Sequence, residues 1–133
     1  MRFCADTWFL MKLFSKDFKA ESVLRGCEEG KDWLLIPLVV FAEMSKKMLE
    51  KGIPQIRIDE FFNDLETVEK VRISFPSKEI ASEAARVALS HSLSLLDAFV
   101  AATAKLSSCE VLLSKDSDYK FAIKQKYLKL QSW

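Results

Sequence analysis

The stretch Ser94–Leu106 reads S-L-L-D-A-F-V-A-A-T-A-K-L. It is apolar on nearly every side, and a helix of that kind is buried rather than amphipathic. Asp97 nevertheless sits in its first turn. A carboxylate beside a core element is costly unless something compensates its charge. What compensates Asp97, and which other acids join it, is the question that leads to function.

Outward from this helix the chain alternates. Before it, Ser77 to Ser90 is an alanine-rich helical run, and Val71 to Phe75 alternates like a strand ending at Pro76. After it, Glu110 to Ser114 is a strand with V-L-L at its centre; Lys115-Asp116-Ser117-Asp118 is a turn into a short helix reaching about Lys124, and Tyr127 to Leu130 is a last strand. At the other end, Arg2 to Ala5 is a short strand and Asp6-Thr7 starts a helix through Phe14. Asp17 caps a second helix, Phe18 to Glu28, with Phe18, Val23, Leu24 and Cys27 as its apolar side and Gly30 as its stop. Trp33 to Ile36 is a continuous apolar strand of the parallel-sheet kind. Pro37 suits the first turn of the next helix, which runs to Lys51 and stops at Gly52. Its expected core stripe is Leu38, Phe41, Ala42, Ser45, Met48 and Leu49. Pro54 opens a helix over Gln55 to Val68 with Ile58, Phe61, Phe62 and Leu65 inward.

Strands alternating with helices specify an α/β domain: a three-layer arrangement with a mostly parallel central sheet and helices on both faces. With 133 residues, 50% of them apolar and 29% charged, the chain fits one globular domain over residues 1–133. A net charge of +1 excludes a strongly basic nucleic-acid binder, so any polyanion contact must be local. Cys4, Cys27 and Cys109 are odd in number and lack C-x-x-C spacing, which argues for reduced thiols rather than a disulfide scaffold or zinc site. The longest apolar run, Trp33 to Ala42, stops at Glu43, and Met1-Arg2-Phe3-Cys4-Ala5 meets Asp6 without a signal-peptide layout. A cytoplasmic protein with no membrane association is the expectation.

Four carboxylates stand out: Asp6, Glu43, Asp97 and Asp116. Each has an ordinary structural explanation. Asp6 could cap the helix that follows it, Ser94-x-x-Asp97 resembles a capping box, and Asp116 fits a turn with Asp118 capping the last helix. Glu43 lies opposite the expected core stripe, four residues before Lys47, so a solvated ion pair accounts for it. Together they are harder to dismiss. Sheets of this class bind ligands at the carboxyl ends of their strands, where Asp6, Asp97 and Asp116 are expected to fall. Carboxylates brought close repel one another unless a proton or cation neutralises them. Hard cations such as Mg²⁺ or Mn²⁺ prefer oxygen ligands, and such sites commonly handle phosphate esters.

Four segments resemble a PIN domain of the VapC ribonuclease-toxin type. They are A-D-T-W-F-L-M-K-L-F from Ala5, P-L-V-V-F-A-E-M from Pro37, L-S-L-L-D-A-F-V-A-A-T-A from Leu93, and V-L-L-S-K-D-S-D-Y from Val111. The resemblance implies a PIN-like fold and makes Asp6, Glu43, Asp97 and Asp116 the catalytic and metal-binding acids, with Asp118 a variable fifth. Thr7 and Ser114 take the supporting hydroxyl positions. Ser114 stands where threonine is more usual, and Pro37 where a small polar residue is commoner. The implied activity is Mg²⁺- or Mn²⁺-dependent hydrolysis of RNA phosphodiesters. The implied partners are RNA, a VapB-like antitoxin and a second copy in a homodimer. The alternatives are a housekeeping nuclease for ribosomal or transfer RNA and a non-catalytic RNA- or protein-binding module.

Lys46, Lys47 and Lys51, and Lys115, Lys120, Lys124, Lys126 and Lys129, either steer a phosphate backbone or form a solvated face. His91 is expected at the surface or in a cap. Trp8, Phe9 and Phe14 exceed what one core needs.

Overall fold

A computed structural model of the chain describes residues 1–115 and 117–133. Five strands form one sheet: β1 (Arg2–Ala5), β2 (Trp33–Pro37), β3 (Val71–Ser74), β4 (Val111–Leu113) and β5 (Leu130–Gln131). Their order is β3-β2-β1-β4-β5, and every neighbouring pair runs parallel. Phe3 on β1 pairs with Leu34 on one side and Val111 on the other. The central strand buries Phe3, Cys4 and Ala5 in succession. Successive strand residues point to opposite faces, so burial of all three means that both faces are covered.

Seven helices supply the cover: α1 (Thr7–Phe14), α2 (Phe18–Glu28), α3 (Leu38–Glu50), α4 (Gln55–Glu66), α5 (Lys78–Ser90), α6 (Leu95–Leu106) and α7 (Lys120–Lys124), the last entered through a 3-10 turn, Ser117–Tyr119. This is the PIN-like α/β architecture expected from the alternation. Local chemistry sets most boundaries. Asp17 accepts from the N–H groups of Lys19 and Ala20 at the start of α2, Ser77 from Ile80 N–H at α5, and Ser94 from Asp97 N–H at α6. Pro37 precedes α3 without a side-chain cap, as its departure from a small polar residue implies. Gly30 and Gly52 follow α2 and α3 at φ +75° and +81°, where a Cβ would be strained.

The helix from Ser94 is buried where it meets the sheet: Ala98 and Val100 through Ala104 are almost wholly enclosed. Its alanines let the helix approach β1, β2 and β4 closely. Its first turn departs from the expectation, because Leu95 and Leu96 are more than half exposed. Three other expectations also change. Phe18 is 78% exposed, since the first residue of α2 points away from the sheet and Ala20 and Cys27 face inward instead. The α3 stripe is rotated towards Val40 and Met44, leaving Ala42 and Leu49 exposed; packing against the sheet sets that rotation, and the apolar pattern of α3 is too evenly spread to do so. β5 lies later than expected because Lys126 turns at φ 59° and Tyr127 N–H bonds back to Ala122 O. The three cysteines are free thiols, with Cys4 and Cys27 buried. Among the described residues no single helix is long and apolar enough to cross a membrane; α5 and α6 pass that test only as a pair bent by 119°.

The order of strands positions the site. From β1 the chain steps outward to β2 and β3, then returns to β4 on the opposite side of β1. The carboxyl ends of β1 and β4 therefore part at a topological switch point, where sheets of this kind leave a crevice.

Candidate functional site

Asp6 follows β1 at that crevice. Its backbone N–H donates to Leu113 O at 3.1 Å, tying it to the end of β4. Its carboxylate is only 6% exposed. Oδ1 accepts from Thr7 N–H at 2.8 Å, and Oδ2 accepts from Ser114 Oγ at 2.6 Å. Asp6 thus caps α1, yet capping does not account for its burial or its surroundings. Burial pushes its pKa up to about 6; the bonds from Ser114 and Thr7 oppose that rise, and the negative charges of Glu43 and Asp97 add to it. Two of the predicted acids therefore act on a third across the crevice.

Glu43 comes from α3 and pairs with Lys47 at 3.7 Å, one turn along. This is the ion pair expected from the sequence, and a half-exposed pair of this kind contributes little to stability. The rotation of α3 has a second consequence, because it turns both residues into the crevice. Glu43 and Lys47 form the wall between two hollows. One, of about 550 Å³, is also lined by Asp6, Thr7 and Lys115; the other, of about 580 Å³, by Ser94, Asp97 and Asp118. Asp97 lies in the first turn of α6, its N–H held by Ser94 Oγ at 3.2 Å. The hydroxyl of the buried Tyr119 lies 3.5 Å from Asp97 Oδ1, at the outer limit of a hydrogen bond.

Asp6, Thr7, Glu43, Asp97, Ser114 and Asp118 thus gather at one end of the sheet. Asp116 lies outside the described residues. Among the described residues, no three Asp, Glu, His or Cys side chains converge closely enough to ligate an ion. The donor set still fits a hard divalent cation. All its atoms are oxygens, and Asp6, raised chiefly by its burial, also feels the negative charges of Glu43 and Asp97. Thr7 Oγ1 is buried beside Asp6 with no hydrogen-bond partner, and a buried polar atom left unpaired is uncommon unless a ligand engages it.

Other expected residues sort by place. Lys46, Lys47, Lys51 and Lys115 line the acidic hollows. Lys126 and Lys129 do not; they line a separate hollow with Cys109 and Glu110, which precede β4 at the opposite end of that strand. His91 is a C-cap, at α5, but it is buried rather than at the surface, with its ring 5.0 Å from that of Tyr127. Tyr119 was not singled out from the sequence; the only sign of it was its place in the Val111–Tyr119 segment.

A parallel α/β sheet with an oxygen-rich crevice at its switch point defines the class of open α/β proteins that bind ligands beyond the carboxyl ends of their strands. Within that class, this chain belongs to the PIN domain family, whose model matches residues 3–124. A search of curated proteins found no match. Solved structures with the same fold include VapBC2 from Rickettsia felis bound to a DNA fragment from its promoter, at TM-score 0.75 and 14% identity over 100% of this chain and 99% of that one. A toxin–antitoxin complex from Klebsiella pneumoniae is similar at TM-score 0.63 and 23% identity, over 87% and 88%. VapC20 of Mycobacterium tuberculosis, a sarcin–ricin loop cleaving toxin, is similar at TM-score 0.67 and 15% identity, over 90% and 94%.

Proposed function

We propose that this chain is a divalent-metal-dependent endoribonuclease and the toxin of a VapBC-type toxin–antitoxin pair. The observation that carries the reading is Asp6: a carboxylate whose proton affinity is raised by burial, with Glu43 and Asp97 adding to it, in a crevice rimmed by lysines. Acids gathered in this way repel one another, and the pair of Glu43 with Lys47 at 3.7 Å offsets only part of that charge. Family membership and the likeness to VapC structures support the same reading.

In this proposal Asp6, Asp97 and Asp116 hold Mg²⁺ or Mn²⁺, with Asp118 in a variable fifth position. A divalent cation there supplies Lewis-acid polarisation of the phosphoryl oxygen. The chain's own groups do the rest. Ser114 Oγ and Thr7 N–H orient the two oxygens of Asp6, so the carboxylate does not have to reorganise when it is engaged. Glu43 completes the site or orients the attacking water and takes its proton. Lys46, Lys47, Lys51 and Lys115 offset the phosphate charge along the rim. The products are a 5′-phosphate and a 3′-hydroxyl.

A VapB-like antitoxin is the proposed partner. Its support on this chain is a hollow of about 710 Å³ beside α2 and α4, floored by Leu13, Phe14, Leu24 and Phe61 and rimmed by charged side chains. A homodimer is supported by the exposed Leu89, Leu95 and Leu96 around the turn joining α5 to α6. A cytoplasmic location follows from a role on cellular RNA.

The test is incubation of purified chain with structured and single-stranded RNAs in Mg²⁺, in Mn²⁺ and in EDTA. Cleavage with either metal, lost in EDTA and in Asp97→Asn, is the expected outcome. Metal-independent cleavage, or none on any RNA, refutes the enzyme. Co-purification with the product of an adjacent small open reading frame tests the antitoxin.

A further inference from the structure

Trp8 lies in the first turn of α1, two residues beyond Asp6, and is only partly buried. The inward side of α1 is already filled by Phe9, Leu10 and Leu13. Trp8 instead lines the hollow that holds Asp6 and Glu43, next to Met11 and Lys51. The same three residues, Trp8, Met11 and Lys51, also line a further hollow of about 370 Å³ that reaches Lys12 and Asp17. The Asp97 hollow joins the Asp6 hollow through Glu43 and Lys47. The three hollows share lining residues in series and form a furrow: Asp97 and Asp118 line its first part, Asp6 and Glu43 its second, and Trp8 its second and third.

The indole is held in place. Trp133 meets it edge-on, with ring centroids 5.1 Å apart and planes at 62°. Trp133 is itself anchored, because its Nε1–H donates to Asp17 Oδ2 at 2.8 Å and its ring abuts Phe9. An aromatic ring fixed from one side and partly open on another is suited to stack a flat partner. Lysines line the same furrow, so the partner that fits is a polyanion carrying flat apolar groups.

We propose that Trp8 is a base-stacking platform that seats a nucleotide of single-stranded RNA in the furrow beside the acids. Trp133 is the residue that positions it. The identity of the polyanion rests on the nuclease reading above, while the stacking stands on the furrow and its indole. Stacking tolerates any base, whereas lysines bind any chain of phosphates. The two contributions therefore separate by ligand.

The experiment measures binding in EDTA, where no cut is required. The probes are a short mixed-sequence single-stranded RNA and inorganic polyphosphate. Trp8→Ala is expected to weaken RNA binding by about tenfold or more while changing polyphosphate binding by less than about twofold. Trp8→Phe retains most of the RNA affinity, Trp133→Ala loses part of it, and Trp133→Phe restores it. Lys47→Ala with Lys51→Ala weakens both probes. A single abasic site moved along the RNA weakens wild-type binding at one position, and that effect disappears in Trp8→Ala. Equal loss of both probes in Trp8→Ala, unchanged RNA affinity in that variant, or no RNA binding by the wild-type chain overturns the platform. Failure of the chain to hydrolyse RNA refutes the nuclease reading and leaves this binding result standing.

Discussion

Two carboxylates of this chain, Asp6 and Glu83, are treated in opposite ways by their surroundings. Glu83, on α5, receives Arg86 through two bonds of 2.7 and 2.8 Å and the Tyr127 hydroxyl at 2.7 Å. Arg86 and Tyr127, with Lys105 nearby, hold its pKa down to about 2. The burden is passed to Tyr127, whose pKa is pushed up mainly by burial and then by its bond to Glu83. Asp6 has hydrogen bonds too, but among the described residues it forms no ion pair, and burial, with two further acids adding to it, drives its pKa the other way. A compensated carboxylate is part of the scaffold. An uncompensated one is a site awaiting positive charge.

Four measurements can break or sharpen this contrast. The largest effect is on chemistry. Asp6→Asn is expected to lower RNA cleavage by roughly a hundredfold or more, whereas Glu83→Gln leaves it within a fewfold, as judged by initial rates in Mn²⁺. Comparable losses in the two variants would erase the distinction.

The second effect is on stability, and its sign differs. Asp6→Asn removes a buried charge while keeping an oxygen for Thr7 N–H or Ser114. It should raise unfolding free energy by about 1–3 kcal/mol at pH 7 without metal, since the gap between 3.8 and about 6 amounts to about 3 kcal/mol at most. Glu83→Gln should lower it by about 1–2 kcal/mol through weaker bonds to Arg86 and Tyr127. Denaturant melts of both variants in EDTA decide the matter.

The third effect is on pH dependence. Asp6 has a folded pKa above its unfolded value, so its contribution is complete below about 3.8 and is lost as pH rises through about 6. Glu83 has a depressed folded pKa, so its contribution is present above about 4.5 and is lost as pH falls towards about 2. A metal-free stability profile of wild type against Asp6→Asn should show the first slope vanish in the variant; an unchanged slope would place the titration elsewhere.

The smallest effect is electrostatic steering. Lys46→Glu with Lys47→Glu should weaken RNA affinity several-fold at low salt and flatten its salt dependence. The matching change at Lys126 and Lys129, at the other end of β4, should alter neither.

Much of this architecture was legible in the chain itself. The order of strands and helices follows from apolar runs and punctuation, and Asp17 and Ser94 cap the helices that their spacing predicts. Asp6, Glu43 and Asp97 were singled out by position and resemblance, and all of them reach the crevice. What misled were the faces of helices. Phe18 looked like a core residue and is exposed, and α3 presents a face rotated from the expected stripe, with Val40 and Met44 inward and Leu49 exposed. A run such as L-V-V-F-A-E-M offers several apolar stripes of nearly equal quality, and only the sheet beneath selects one. His91 and Tyr119 were hidden for the same reason, since each is buried by elements remote in sequence.

By itself the sequence determined the order and kind of the elements, several of their caps, and which side chains carry negative charge. Those features depend on bonds between residues a few positions apart. Only the tertiary structure decided that Asp6 is starved of compensation. Its partner Ser114 is 108 residues away, Glu43 reaches it through the rotation of α3, and Trp133 braces Trp8 from Asp17, 116 residues off. Burial and proximity are properties of the closed sheet, and the charge balance at a site is set by whatever the fold brings there.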